Sequence, residues 1–283
     1  MMTESTDDLV SDAGNAEEVN AKREFALLLY RLQHLPAKSR ARLQGAFTQR
    51  LIDETLSVET PRGPLSFVLL GKAAGGRALT LLTKQPATIE WIDRFRPDGV
   101  FWDVGANVGT FSLYAAARGD TRVVAIEPAA VNYFLLAANC EVNRLDTRID
   151  ALLLGLGKDR AVERLEVSQF ESAQSFSFRG KADQQHRGRQ AAIVLSADRL
   201  VEEYAVPCPN YIKIDAPGSL EAIIAGASRT LQRPEVRELH LEVREQSKGG
   251  QRVMEMLTRA GFVVANRHSH GGSADLTFAR PGG

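Results

Sequence analysis

The sequence predicts an α/β fold: a mostly parallel, Rossmann-like sheet that closes with an antiparallel terminal hairpin, preceded by N-terminal helices and a β-hairpin. Two observations carry this reading. From Val100 onward short apolar, β-prone runs alternate with helical stretches of about a dozen residues, the pattern of parallel strands joined by helical crossovers. The last two runs, FVVANR and ADLTFA, are separated only by a short Gly-rich turn, too little chain for a helix, so they pair antiparallel.

Taken in order, residues 1–22 carry Glu4, Asp7, Asp8, Asp12, Glu17 and Glu18 with few large apolar groups, and read as a flexible acidic tail. Residues 23–60 read as a helical cap. Phe25, Leu28, Leu29 and Leu32 recur at helical spacing until Pro36, and Leu43, Phe47 and Leu51 mark a second helix with Lys38, Arg40, Arg42 and Arg50 on its polar side. Two amphipathic helices outside the sheet need a surface to bury their apolar faces, which points to a homodimer contact. Residues 61–283 form the main domain. Its opening runs, 64–70 and 77–83, flank the Gly71 to Gly76 region as a hairpin, and Pro86 starts a helix through Trp91 and Ile92. The alternating part then runs VFWDV, a helix through Leu113, RVVAIE, a helix through Leu135, and IDALLL. After a loop-rich region come NYIKID, a helix over 219–231, VRELHLEV, and a helix over 250–260 that stops at Gly261.

The composition sets limits. With 283 residues, 44% apolar and 25% charged, the chain is an ordinary globular protein, and 35 basic residues balance 35 acidic ones. No global field draws it to nucleic acid or to a membrane surface. No apolar window approaches the ~18 residues of a spanning helix. Cys140 and Cys208 lie far apart without metal-ligand neighbours, so the expected address is the reducing cytoplasm.

The chemistry concentrates in Asp103-Val104-Gly105-Ala106-Asn107-Val108-Gly109, directly after a strand and opening a helix. Glycines at such a turn permit positive φ and close backbone approach, and free N–H groups at the helix start face a crevice above the strand ends. Glu127 ends the next strand, where a carboxylate accepts hydrogen bonds from both hydroxyls of a ribose. A dinucleotide fingerprint needs glycines where Asn107 and Thr110 stand, so an NAD-dependent oxidoreductase does not fit. Asp103 would repel a pyrophosphate but favours the sulfonium and ammonium of S-adenosylmethionine.

These segments together, FWDVGANVGTFSLYAA, VVAIEPAAVNYFLLAANCEVN, LGLGKD, NYIKID, EAIIAGASRTL and the final AGF, resemble the FkbM-type S-adenosylmethionine-dependent methyltransferases from about Thr60 to the last strand. The resemblance implies a class I methyltransferase sheet and transfer of a methyl group to a hydroxyl oxygen of a small molecule or saccharide. It places Asp103, Gly105, Ala106, Asn107 and Gly109 at the methionine end of the cofactor, Glu127 at its ribose, and Leu154 and Gly155 at its adenine. Asn139 and Asn143 match recurring asparagines of the family. The sequence departs from the family after Ile214-Asp215, where Pro217 and Leu220 occupy two usually acidic positions and Glu221 points about 100° away around a helix. Gln85-Pro86-Ala87 also stands where relatives favour acidic residues.

Methyl transfer is an in-line displacement, so the protein must align donor and acceptor and take a proton. Asp215, at the carboxyl end of its strand, is the first candidate base, with a helix cap as its structural role otherwise. His240, two residues before Glu242 on the next strand, is the second, against a satisfied core histidine. Lys213 alternates with Asp215, is open to pairing with a nearby carboxylate instead of substrate, and is assigned no role. His268 and His270 are too few for a zinc site, so no metal is expected. Arg179 to Arg189 reads as a mobile loop, with a basic lid over an anionic acceptor as the alternative. The altered acidic positions keep a second function open: a non-catalytic S-adenosylmethionine-binding module that has lost its acceptor machinery.

Overall fold

Pro36 divides the N-terminal helical stretch, its fixed φ of −52° leading into a new helix where a missing N–H costs nothing. The two helices are α1 (Ala16–Gln33) and α2 (Ala37–Asp53). The computed structural model describes residues 16–167, 188–270 and 272–282. α1 begins at Ala16, so residues 16–22 of the expected tail are helical, with Glu17 and Glu18 in the favourable first turn and Glu18 paired to Lys22 at 3.0 Å. The rest of that expected tail lies outside the described residues.

The chain divides into two compact units, residues 1–54 and 55–283. The second starts inside the expected cap, because β1 (Thr55–Val58) is paired antiparallel with β2 (Leu65–Val68). This corrects the expected hairpin. Residues 65–68 are a strand, but their partner precedes them, and Lys72–Leu79 is a helix, α3. Gly71, at φ 90°, turns the chain out of β2, and Ala74 and Ala78 are buried one helical turn apart. Burial of those two small side chains overrides the poor helix propensity of Gly75 and Gly76.

α4 (Pro86–Asp93) leads into β3 (Val100–Val104), α5 (Thr110–Ala117), β4 (Arg122–Ile126), α6 (Ala130–Val142) and β5 (Ile149–Leu152). Three short segments then form a sheet the sequence reading missed: β6 (Gly155–Leu156), β7 (Ala161–Val167) and β8 (Gly188–Leu195), in the order β6-β8-β7. The chain continues through α7 (Ala197–Glu202), β9 (Tyr211–Ile214), α8 (Leu220–Gly226), β10 (Glu238–Val243), α9 (Lys248–Arg259), β11 (Val263–His270) and β12 (Ser273–Ala279). The helix expected over 219–231 stops at Gly226 because Asp198 captures the amides of Arg229 and Thr230, and only a 3-10 turn follows at Thr230–Gln232.

The main sheet has seven strands in the order β11-β12-β10-β9-β3-β4-β5, all parallel except β12. This is the class I methyltransferase arrangement. Strand alternation sends Phe101, Val123 and Tyr211 to the face covered by α4 and α5, and Trp102, Val124 and Ile212 to the face covered by α8 and α9. Burial on both faces explains the near-continuous apolar runs. One row is the exception. In register across four strands of the α4/α5 face stand Thr277, His240, Lys213 and Asp103, all buried.

Candidate active site

The turn after β3 is built for close approach. A Cβ on Gly105 (φ 80°) would sit 2.1 Å from the carbonyl oxygen of Asp215, and one on Gly109 (φ 86°) 2.5 Å from Leu136 Cδ1, so only glycine brings β3 this near β9 and α6. The amides of Gly105 and Ala106 donate to Ile126 O at 2.9 and 3.1 Å, Gly109 N donates to Ala106 O, and Asn107 N donates to Glu127 Oε2 at 2.8 Å. The amides of the turn itself are therefore bonded within the fold, and that of Asn107 holds the Glu127 carboxylate.

Glu127 is 5% exposed, and its other oxygen accepts from Ala129 N at 2.9 Å and Asn132 Nδ2 at 3.4 Å. Burial pushes its carboxyl up to about 7, against the pull of these donors and with a smaller push from Asp103. Glu127 faces a solvent-open cleft with about 600 Å³ of empty space. Gly105 and Asn107 line one part of it, Gly155 and Leu156 another, and Asp215, Ala216 and Pro217 the opposite wall. Arg77 of α3 also lines it. Burial lowers the proton affinity of its guanidinium while Asp215 and Glu127 act the other way. Arg77 stands in a segment whose local pattern predicts a hairpin, so the sequence alone does not single it out.

Four expected cofactor residues do not line the cleft. Asp103 lies beneath it, 1% exposed, accepting from Ser112 Oγ at 2.7 Å and facing Lys213 Nζ at 3.6 Å. Ala106 is buried in the core, Gly109 is packed on Leu136, and Leu154 packs with the hydrophobic core while its neighbours Gly155 and Leu156 reach the cleft. Asn139 and Asn143 have structural roles. Asn139 links Val68 N to Val108 O, both at 2.8 Å, tying β2 to the Gly-rich turn, and Asn143 bonds both backbone groups of Ser66.

Asp215 does not cap α8, whose N-cap is Ser219. Its carboxylate, 38% exposed, lies 3.8 Å from Lys213 Nζ and borders the cleft and a smaller hollow beside it. His240 is not available as a base. Its Nε2 and Nδ1 each lie 3.0 Å from a threonine hydroxyl, Thr88 and Thr277, and its ring stacks on Trp91. Burial, with Lys213 next, lowers its pKa to about 3, and neither nitrogen is left for an acceptor. Leu220 packs against the core and Glu221 pairs with Arg252 of α9 at 2.8 Å, so the displaced carboxylate is turned away from the cleft. Among the described residues no group of three His, Cys, Asp or Glu could hold a metal, and no helix is long and apolar enough to cross a membrane. Most of the expected basic loop, including Arg179, Lys181, His186 and Arg187, lies outside the described residues. Arg189, in β8, faces Glu166 at 3.7 Å.

The model of the methyltransferase FkbM domain matches residues 103–264, more than half the chain. The chain belongs to the FkbM methyltransferase domain family. The cofactor that goes with this family is S-adenosylmethionine. Over 141 residues it is 27% identical to the hexuronic acid methyltransferase AglP of Haloferax volcanii, covering 50% of this chain and 55% of that one. A 61-residue stretch is 46% identical to the AMB antimetabolite synthetase AmbE of Pseudomonas aeruginosa, 21% of this chain and 3% of that protein. The chain thus spans about half of the first relative and a small part of the second. The crystal structure of methyltransferase FkbM from Methylobacillus flagellatus KT aligns with a TM-score of 0.47 at 17% identity, covering 66% of this chain and 44% of that one. The cleft's donor set suits that cofactor: a buried carboxylate for a diol, two side-chain amides and an arginine.

Proposed function

We propose that this FkbM-domain protein moves a methyl group from S-adenosylmethionine to a hydroxyl oxygen of a saccharide, with Asp215 as the base. Bound at the cleft, the cofactor supplies a carbon activated by positive sulfur. Glu127 holds the ribose hydroxyls, Gly155 and Leu156 border the adenine, and Arg77 faces the carboxylate of the methionine end. Asp215 carries the proposal: it is the carboxylate that borders both the cofactor cleft and the neighbouring hollow, so an acceptor hydroxyl there is within its reach. The relative whose name specifies a hexuronic acid supports a saccharide acceptor.

Calorimetric titration with S-adenosylhomocysteine tests the cofactor site, and Glu127→Ala is expected to weaken binding about 10- to 100-fold. Unchanged affinity would reject it. Asp215→Asn is expected to lower kcat at least about 100-fold with S-adenosylhomocysteine affinity changed less than about threefold. The pairing of Glu221 with Arg252, away from the cleft, favours a second reading, a module that binds the cofactor without transferring its methyl group. A single methylated product from a panel of hydroxylated acceptors removes that reading.

A further inference from the structure

A smaller, solvent-open hollow lies at the carboxyl ends of β9 and β10 and shares Asp215 with the cofactor cleft. Lys213 lies in it, its side chain only 4% exposed. The ammonium stands 3.6 Å from Asp103 Oδ1, 3.8 Å from Asp215 Oδ2 and 4.9 Å from the centre of the Phe111 ring. Both carboxylate distances are ion-pair distances, longer than hydrogen bonds. Among the described residues no acceptor lies within hydrogen-bond reach of its N–H groups, and Asp103 Oδ1 is itself buried without a hydrogen bond. A buried ammonium in that state gains from an oxygen placed in the hollow.

Glu242 and Asp275 also line the hollow, and they are direct cross-strand partners on β10 and β12. Like charges placed opposite one another weaken a sheet, and Ser273 Oγ donates to Glu242 at 2.5 Å. The pair is suited to accepting two hydrogen bonds from neighbouring hydroxyls. Three carboxylates, Asp215, Glu242 and Asp275, therefore line a hollow with one ammonium, which faces Asp215 and the buried Asp103.

We propose that this hollow is the acceptor subsite and that it selects an uncharged polyol with adjacent hydroxyls, such as a neutral sugar ring, against a sugar presenting a carboxylate there. The inference rests on the methyl-transfer reading above. The reacting hydroxyl oxygen accepts from Lys213 Nζ and gives its proton to Asp215 as the new O–C bond forms. The C–S bond breaks at the same time, with its electron pair left on sulfur. Adjacent hydroxyls donate to Glu242 and Asp275. A carboxylate placed there would be desolvated beside like charges, which excludes it.

The test titrates methyl α-glucoside and methyl α-glucuronide into the full chain saturated with S-adenosylhomocysteine, and measures methyl transfer to each with S-adenosylmethionine. The neutral glycoside is expected to bind at least about tenfold more tightly than the uronate. The double variant Glu242→Gln/Asp275→Asn is expected to shrink that ratio to about threefold or less, with S-adenosylhomocysteine affinity unchanged, which also reports that it has folded. Equal or preferred binding of the uronate overturns the proposal, as does a ratio the double variant leaves unmoved. Selective binding without any product leaves the subsite standing and defeats the methyl-transfer reading instead. Loss of both glycosides with S-adenosylhomocysteine still bound defeats the subsite.

Discussion

Glu127 and His240 are both buried, both titratable and both close to the ends of the central strands, yet they do opposite things. Burial drives each toward its neutral form, the carboxyl up to about 7 and the imidazole down to about 3. The difference lies in what closes around them. His240 has a threonine hydroxyl on each nitrogen and an indole against its face, while Glu127 borders a cleft with space for a ligand. A shifted pKa therefore marks a functional group only when its polar atoms have room for something further.

The largest effect that separates the two regions is expected at Gly105, where the wall of the cleft touches β9. Gly105→Ala places a methyl 2.1 Å from a backbone oxygen at a φ of 80°, so a loss of at least about 3 kcal/mol in stability and of detectable S-adenosylhomocysteine binding is expected from denaturant unfolding and calorimetry. Near-normal binding would mean that the two strand ends do not meet as described.

Glu127→Gln is next. If the ionised carboxylate holds the ribose, affinity for S-adenosylhomocysteine in the unmodified chain falls as pH drops through about 7, approaching about tenfold per pH unit, and the glutamine variant binds weakly with no such slope. Stability has the opposite sign. The folded state keeps a proton that the unfolded chain releases above the ordinary 4.5, so stability is full below that value and declines as pH rises through about 7, by roughly 3 kcal/mol at most. Urea midpoints at pH 5 and pH 8 for both chains check this.

The central strands were legible because sheets buried on both faces leave apolar runs such as VFWDV and RVVAI, and the cofactor turn because its glycine spacing has few structural meanings. Local pattern failed where tertiary contact decides. α3 forms through burial of Ala74 and Ala78 despite two glycines, so Arg77 went unseen, and β6, β7 and β8 pair across a long stretch of sequence. Lys213 was visible as a charge on an apolar strand. Its meaning comes from register, which sets it between His240 and Asp103 on neighbouring strands, and no spacing within one strand records that.

His240 offers a test from the other side. His240→Leu strips both threonine hydroxyls of their partner, and a loss of about 2 kcal/mol is expected, with kcat per folded molecule changed less than about twofold. Because the folded ring resists protonation, its share of stability is full above the ordinary 6.5 and is lost as pH falls toward 3, so the leucine variant should show a flatter acid limb. A kcat lowered tenfold or more would return His240 to the reaction.

The smallest effect is expected at Glu221, and it bears on whether the altered segment after β9 still serves the reaction. The Glu221 pair with Arg252 is about half exposed, and such pairs contribute little because water screens the charges and two long side chains must be held in place. Glu221→Gln should shift Tm by no more than about 2 °C and leave methyl transfer unchanged. Leu220→Glu would instead restore a carboxylate at the position one residue earlier, where the side chain now packs toward the core. If Glu221→Gln cut turnover tenfold with cofactor affinity intact, the carboxylate would have to leave Arg252 and enter the cleft during the reaction, and the region after Asp215 would be a moving part rather than a fixed wall.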